Sequence, residues 1–228
     1  HNHADHVSGG QVFQQSSTEI IAHEKAARAL KRDRGPTALP TLTFTDRLTL
    51  NFADRRLRFL YFGPNNREGN IVLHIPSQEL LFGVDWILVK RLPWKKFQGY
   101  DLHGMIDALR KVFELDFQIV VPGHSQVGSR ADLREFRSYL VDLRDAVRKG
   151  LEQGRSLREM QREITLDQYR HLDRYEEWRT LNIEGVYPQL KYPSIPGDSF
   201  SIRFPSACNT YSIHRVGETS TLHFVAVI

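Results

Sequence analysis

The sequence predicts a mixed α/β fold, and two kinds of segment support that prediction. Residues 117–121 form a compact apolar run that is typical of a buried strand. Residues 101–113 and 129–150 instead place apolar side chains at the spacing of one-faced helices. With 228 residues, the chain is long enough to bury a substantial core in one or two domains.

Short apolar or alternating runs predict most strands in the first half of the chain. These runs cover residues 19–22, 46–51, 55–61, 70–75 and 79–82. The second and third runs alternate polar and apolar residues in the manner of a hairpin. A helix is predicted at residues 24–31, and loops at residues 35–40 and 86–100.

Capping signals organise the second half of the chain. Ser129 is a candidate N-cap for the helix at 129–150, and Ser156 with Glu159 forms a capping-box pattern. A longer helix is predicted at residues 166–186. We expect residues 1–128 to form a core and residues 129–190 a helical part of the same domain. Residues 191–228 form a tail without a recognisable register.

Composition narrows the class of protein. The 31 Lys and Arg residues exceed the 27 Asp and Glu residues by only four, and the charges are interspersed, so nucleic acid is not an indicated partner. The single cysteine, Cys208, excludes a disulfide framework within the chain. No apolar stretch approaches the roughly 18 residues of a spanning helix, so no membrane partner is expected. Oligomeric state and localisation stay open.

The chain starts with the sequence H-N-H-A-D-H, which sets His1, His3, Asp5 and His6 within one short segment. An affinity tag is the alternative origin, but tags are homopolymeric and an Asp within this pattern is atypical of them. Imidazole and carboxylate groups are ligands that zinc accepts, and manganese and iron accept them too. The segment therefore predicts a metal site.

This pattern resembles the H-x-H-x-D-H signature of metallohydrolases with the metallo-β-lactamase fold. Two later residues extend the resemblance over approximately residues 1–190. His124 follows a strand and a Pro-Gly turn, as a late metal-ligand histidine of the family does. Asp85, in L-F-G-V-D, stands where the family places a carboxylate that bridges two metal ions. The resemblance thus implies one or two zinc ions held by His1, His3, Asp5, His6, Asp85 and His124.

The same resemblance implies a four-layer αββα sandwich with the metal at one edge of two mixed sheets. Family members have several strands before the H-x-H-x-D-H motif, whereas this chain starts at His1. We therefore expect that N-terminal strands are missing from this chain and that one sheet has an unpaired edge. Lower stability and weaker metal retention than in an intact homologue are the expected consequences.

One segment departs from the family pattern G-x-x-H-T-x-G-D. Asn66 stands where the family has a metal-ligand histidine, and Asn70 stands where it has Asp. An amide oxygen is a poorer zinc ligand than an imidazole nitrogen, so the site that contains His1 and His3 is weakened. The second site, which the resemblance assigns to Asp5, His6, Asp85 and His124, keeps its full set. We expect one metal ion, or two with the first loosely held.

The implied chemistry is hydrolysis of a small molecule. A zinc ion lowers the pKa of its water towards about 7, which makes hydroxide available to attack an ester, thioester or lactam. Asp5 or Asp85 is expected to orient the water or relay its proton, and these are the candidate catalytic residues. No motif supplies a covalent nucleophile.

Two alternatives remain open. The first is a metal-binding family member with weak or no catalysis, which the replacement at Asn66 favours. The second is a hydrolase that processes nucleic acid.

Other candidate residues admit two interpretations. The aromatic residues Trp86, Trp94, Phe97 and Tyr100 can line a pocket mouth, or they can form a lid held by packing. His23 is expected to be structural. His74, His103 and His171 are expected to be ordinary surface or core residues.

Overall fold

A computed structural model describes residues 1–14, 18–52, 54–67, 69–192, 210–212 and 223–226. Over these residues the chain forms ten strands and six α-helices. The strands are β1 (Thr18–His23), β2 (Leu42–Phe44), β3 (Arg47–Phe52), β4 (Arg55–Leu60), β5 (Val72–Ile75), β6 (Leu80–Gly83), β7 (Ile119–Pro122), β8 (Gly128–Ser129), β9 (Thr210–Ser212) and β10 (His223–Ala226). The helices are α1 (Ala4–Val7), α2 (Glu24–Asp33), α3 (Leu102–Val112), α4 (Arg130–Glu152), α5 (Leu157–Glu163) and α6 (Tyr175–Lys191).

The strands form two sheets. The larger sheet has the order β8-β7-β6-β5-β4-β3-β9. Strands β3, β4, β5 and β6 pair antiparallel in succession, whereas β6 and β7 are parallel and are joined through α3. The smaller sheet has the order β10-β1-β2, and both of its pairs are parallel.

Apolar side chains join the two sheets face to face. Ile21 of β1 and Phe44 of β2 share one buried cluster with Leu48 and Leu50 of β3 and with Phe59 of β4. Because successive side chains of a strand point to opposite faces, the neighbours of Ile21 point away from this cluster. They pack instead with α2, which therefore covers the outer face of the small sheet.

Three helices cover the outer face of the large sheet. Leu81 of β6 and Val120 of β7 belong to a second buried cluster, together with Leu109 of α3, Leu140 of α4 and Ile183 of α6. The layers are therefore α2, the small sheet, the large sheet, and α3 with α4 and α6. This order confirms the predicted αββα sandwich.

Local capping accounts for the starts of α4 and α5. The Ser129 hydroxyl accepts a hydrogen bond from the Asp132 amide, and the Asp132 carboxylate accepts one from the Ser129 amide. Ser156 and Glu159 form the same reciprocal pair before α5. The predicted capping signals are therefore confirmed at both positions.

The single helix predicted over residues 166–186 is wrong. One 3-10 turn covers Asp167–Tyr169, and α6 begins only at Tyr175. Leu166 and Arg174 adopt the left-handed conformation, with φ of 52° and 67°, which interrupts a right-handed helix. Between them the Tyr169 ring is buried in the core, so tertiary packing overrides the local helical pattern.

Most of the predicted tail lies outside the described residues, including Cys208. Within residues 191–228, β9 pairs with β3 and β10 pairs with β1, with Thr18 opposite His223. β1 therefore has a partner on each side, and the expected unpaired edge does not occur at this strand.

Candidate metal centre

Strand ends bring the predicted ligands to one edge of the large sheet. Asp85 comes two residues after β6, and His124 comes two residues after β7. Because β6 and β7 are parallel, with Gly83 opposite Pro122, their carboxyl ends lie side by side. The H-x-H-x-D-H segment meets this edge and contains α1, a single turn that carries Asp5 and His6.

The Pro-Gly turn after β7 depends on its glycine. A Cβ atom at Gly123 would lie 2.5 Å from Val84 Cγ1 and 3.1 Å from His6 Cε1. A larger residue would therefore force apart the segments that carry His6 and His124.

The Asp85 carboxylate is the centre of the first group of histidines. Its Oδ2 atom lies 2.9 Å from His1 Nε2 and 2.6 Å from His3 Nδ1, and its Oδ1 atom lies 3.0 Å from His6 Nε2. Asp85 is only 4% exposed. Burial alone raises the pKa of this carboxyl, but the hydrogen bonds from His1 and His3 outweigh burial and hold the pKa well below its ordinary value. Asp85 is therefore an ionised carboxylate.

A second group joins His6 to His124 and Asp5. The Nε2 atoms of the two imidazoles lie 3.1 Å apart, and His124 Nε2 lies 2.9 Å from Asp5 Oδ2. Burial lowers the pKa of His6, although the Asp85 charge opposes that effect, so its imidazole favours the neutral form that binds metals.

The donor atoms of the second group fit a metal ion. His6 Nε2 lies within 3.4 Å of three polar atoms, on Asp5, Asp85 and His124, but a single N–H can be directed at only one of them. The ligand atoms of Asp5, His6 and His124 all lie within 4.8 Å of one another, and those of His1, His6 and Asp85 do so as well. Converging imidazole and carboxylate atoms at these separations are a donor set that a divalent cation accepts. His3 belongs to neither group.

The two asparagines of the segment that differs from the family pattern have different surroundings. Asn66 is fully buried, and neither Oδ1 nor Nδ2 has a hydrogen-bond partner among the described residues. Asn70 is also buried, and its Nδ2 donates to the Val84 carbonyl at 3.0 Å. Asn70 therefore braces the backbone next to Asp85, a role that the sequence analysis missed.

A cavity of about 310 Å³ opens beside the centre. One part of its wall carries charge and the other part is apolar and aromatic. The lining residues are His3, Asp5, Arg67, Asp85, Leu88, Arg91, Leu92, Trp94, Gln98, Tyr100, His124 and Trp178.

The four aromatic residues of the loop at 86–100 do not share one role, because two of them line a pocket and two are held by packing. Trp94 and Tyr100 line the cavity, whereas Trp86 and Phe97 are buried in the core. The Tyr100 hydroxyl donates to the Asp85 carbonyl at 3.3 Å. Burial, with the Asp85 charge as a second cause, raises the pKa of Tyr100, so this hydroxyl stays protonated.

The sequence analysis did not single out six of the cavity residues, and Arg67, Arg91 and Trp178 are the charged and aromatic ones among them. Arg67 follows Asn66 directly and donates from Nε to His3 Nε2 at 2.6 Å. Arg91 lies over the Trp178 ring, with 4.9 Å between the guanidinium carbon and the ring centroid. Arg67 lies in the segment that departs from the family pattern and Arg91 lies in the aromatic loop, so both had a sequence signal, whereas Trp178 reaches the site from α6 and had none.

Three histidines outside the motif make contacts that are typical of structural residues. His23 Nε2 donates to the Thr45 carbonyl, and His74 Nε2 donates to the Asp116 carbonyl at 2.7 Å. His171 pairs with Glu135 at the surface. The expectation that His23 is structural agrees with these contacts.

Comparison with known proteins identifies the family of this chain. A family model described as the metallo-beta-lactamase superfamily matches residues 1–124. The chain belongs to the metallo-beta-lactamase superfamily. Membership supports a metal-dependent hydrolase in general terms.

Two curated relatives match this superfamily member. The 2,4-dinitroanisole O-demethylase subunit alpha of Nocardioides sp. (strain JS1661) is 27% identical over 158 residues, which are 67% of this chain and 48% of the relative. The metallo-beta-lactamase type 2 of Bacillus cereus is 27% identical over 140 residues, which are 57% of this chain and 51% of the relative. This chain therefore spans about half the length of the curated relatives that it matches.

A solved metallo-beta-lactamase from Pontibacter korlensis has the same fold. It superposes with a TM-score of 0.54 at 24% identity, over 61% of this chain and 66% of that one. In the part of the superfamily member that the structure describes, no helix is long and apolar enough to cross a membrane.

Proposed function

We propose that this chain is a zinc-dependent hydrolase that cleaves an ester, thioester or lactam bond of a small molecule. Asp5, His6 and His124 are the ligands of one ion, and Asp85 lies beside them. The observation that carries the proposal is the convergence of these ligand atoms within 4.8 Å at the wall of an open cavity.

Asp5, His6 and His124 would hold the zinc ion, which would lower the pKa of a coordinated water and polarise the bond to be cleaved. The chain's own residues supply the rest of the site. The exposed Asp5 carboxylate faces the cavity, where it can accept a proton from the water or orient it. The buried Asp85 carboxylate holds His1 and His3 through Oδ2 and His6 through Oδ1.

The metal itself is part of the proposal. Two imidazoles with carboxylates are a donor set for zinc, and manganese and iron accept the same atoms. Elemental analysis of purified protein separates these ions.

The cavity supports a small substrate with an apolar body. Leu88, Leu92, Trp94 and Trp178 form the apolar part of its wall. The Trp94 and Trp178 rings meet edge to face, with centroids 5.0 Å apart, and can hold a flat group between them and the charged wall. The name of one relative specifies 2,4-dinitroanisole, a small aromatic molecule, and that chemistry is consistent with this wall.

A screen of three bond classes tests the proposal. Nitrophenyl esters, a thioester and a chromogenic lactam are offered to protein purified without a tag. We expect hydrolysis of at least one class, its loss on dialysis against a chelator, and its return when zinc is added back. Hydrolysis that persists after dialysis against the chelator would contradict metal dependence.

A metal-binding protein without catalysis is the second candidate. It is favoured by Asn66, whose buried amide replaces the histidine implied by the family pattern. Tightly bound zinc with no turnover of any of the three bond classes would support this candidate and overturn the hydrolase.

A further inference from the structure

His3 has no nitrogen lone pair left for a metal ion. Its Nε2 atom accepts a hydrogen bond from Arg67 Nε at 2.6 Å, so the ring proton resides on Nδ1. Nδ1 lies 2.6 Å from Asp85 Oδ2 and donates to it. Both contacts are satisfied by one neutral tautomer, and His3 consequently links Arg67 to Asp85.

The position of Arg67 is fixed by its backbone and by the loop beside it. Arg67 has a left-handed φ of 63°, and its amide donates to the Gly99 carbonyl at 3.1 Å. A Cβ atom at Gly99 would lie 3.0 Å from Arg67 Nε and 3.4 Å from Cζ. The absence of a side chain at Gly99 therefore leaves the space that the guanidinium fills.

The surroundings of Arg67 disfavour a second cation. Asn66 offers no imidazole, and the arginine that follows it places a permanent positive charge against His3. A metal cation on His3 would therefore be repelled by the guanidinium that contacts the same ring. The guanidinium also lines the cavity, so the charge is available to substrate as well as to His3.

We propose that Arg67 replaces a second metal ion. Its guanidinium lies against His3 Nε2 and keeps the His3 proton on Nδ1, the atom that faces Asp85, and in this way it limits the centre to one ion at Asp5, His6 and His124. This inference rests on the proposed function, because it presupposes a metal ion at those three residues.

Zinc stoichiometry tests the proposal without an activity assay. Metal-free protein is equilibrated with zinc, freed of unbound ion and measured by elemental analysis. The wild type, Asn66→His and Arg67→Thr are each expected to hold about one ion, and the Asn66→His/Arg67→Thr double variant about two. A matched control, Asn66→His/Arg91→Gln, removes a different cavity arginine and is expected to stay at about one.

Several outcomes would overturn the inference. A second ion in Asn66→His alone would show that Arg67 does not prevent binding of a second ion. A folded double variant that holds only one ion would show that removing Arg67 does not restore the second site. A wild type that binds no zinc would instead refute the proposed function, so the two failures are distinguishable.

A measurement on the wild type covers the case of a double variant that does not fold. Histidine nitrogen spectra are recorded before and after zinc is added. We expect the His6 and His124 nitrogens to shift and the His3 nitrogens to keep their positions. A shift of either His3 nitrogen to a metal-bound position, Nδ1 above all because it faces Asp85, would contradict the proposal.

Discussion

His6 Nε2 and His124 Nε2 lie 3.1 Å apart, although 118 positions separate the two residues in the chain. The contact joins the single turn of α1 to the end of β7, and Gly123 makes the close approach possible. One N–H can join the two nitrogens, but that N–H is then not available to the Asp5 and Asp85 oxygens that lie against the same atoms, whereas a cation among them accepts a lone pair from each. This pair is the basis of the proposed metal centre.

Replacing His124 with Gln is expected to abolish tight zinc binding, because it removes one of three proposed ligands. His171→Gln is the matched control, since His171 is a comparably exposed histidine that pairs with Glu135 at the surface. A competition assay with a chromogenic chelator measures both affinities. Equal affinities in the two variants would remove His124 from the centre.

Replacing Asp85 with Asn is expected to weaken zinc binding by about 10- to 100-fold, the range for groups that orient metal ligands. The amide nitrogen is a donor, and it would face imidazole nitrogens that now donate to a carboxylate. Asp107→Asn, at an exposed position of α3, is the control. The same competition assay applies, and an unchanged affinity in Asp85→Asn would refute the role of the carboxylate.

His23 is expected to make stability depend on pH. Burial lowers its pKa to about 4, from 6.5, and its Nδ1 already accepts a hydrogen bond from the Lys25 amide. The unfolded chain therefore binds this proton more tightly than the folded protein. The stability that His23 contributes is complete above pH 6.5 and is lost as the pH falls towards 4.

Denaturant unfolding at several pH values between 4.5 and 7 tests this expectation. For one such group, the free energy of unfolding falls by at most about 1.4 kcal/mol per pH unit. His23→Gln removes the titrating group and is expected to show a shallower slope. Identical slopes in the variant and the wild type would assign the pH dependence to other residues.

Gly185 is expected to tolerate no side chain. A Cβ atom there would lie 2.0 Å from the Lys96 carbonyl oxygen, so alanine would push α6 away from the loop that carries Trp94. We expect a loss of about 1 to 3 kcal/mol in unfolding free energy, the usual cost of overpacking. Gly35→Ala is the control, since a Cβ atom at Gly35 meets nothing within 4 Å. Thermal melting that is identical for the two variants would contradict this packing.

The sequence predicts the elements and the residues of the centre where local rules decide them. Capping at Ser129 and Ser156 is local, and apolar periodicity places α3 within a residue of its prediction. The juxtaposition of Asp85 and His124 follows from the resemblance and from the edge shared by two parallel strands.

The missed features depend on contacts between distant segments. Trp178 reaches the cavity because α6 packs against the aromatic loop, where the Asn182 amide donates to the Pro93 carbonyl. The left-handed turn at Arg174 that starts α6 leaves no trace in the hydrophobic pattern. The contact between Arg67 and His3 likewise depends on the left-handed backbone at Arg67 and on Gly99.

Zinc content of the untagged wild-type protein tests the central claim most directly. Protein is stripped of metal, equilibrated with zinc at neutral pH, and analysed for its elements after unbound ion is removed. About one tightly held zinc ion per chain is the result expected from the centre formed by Asp5, His6 and His124. Folded protein that retains no zinc would contradict it.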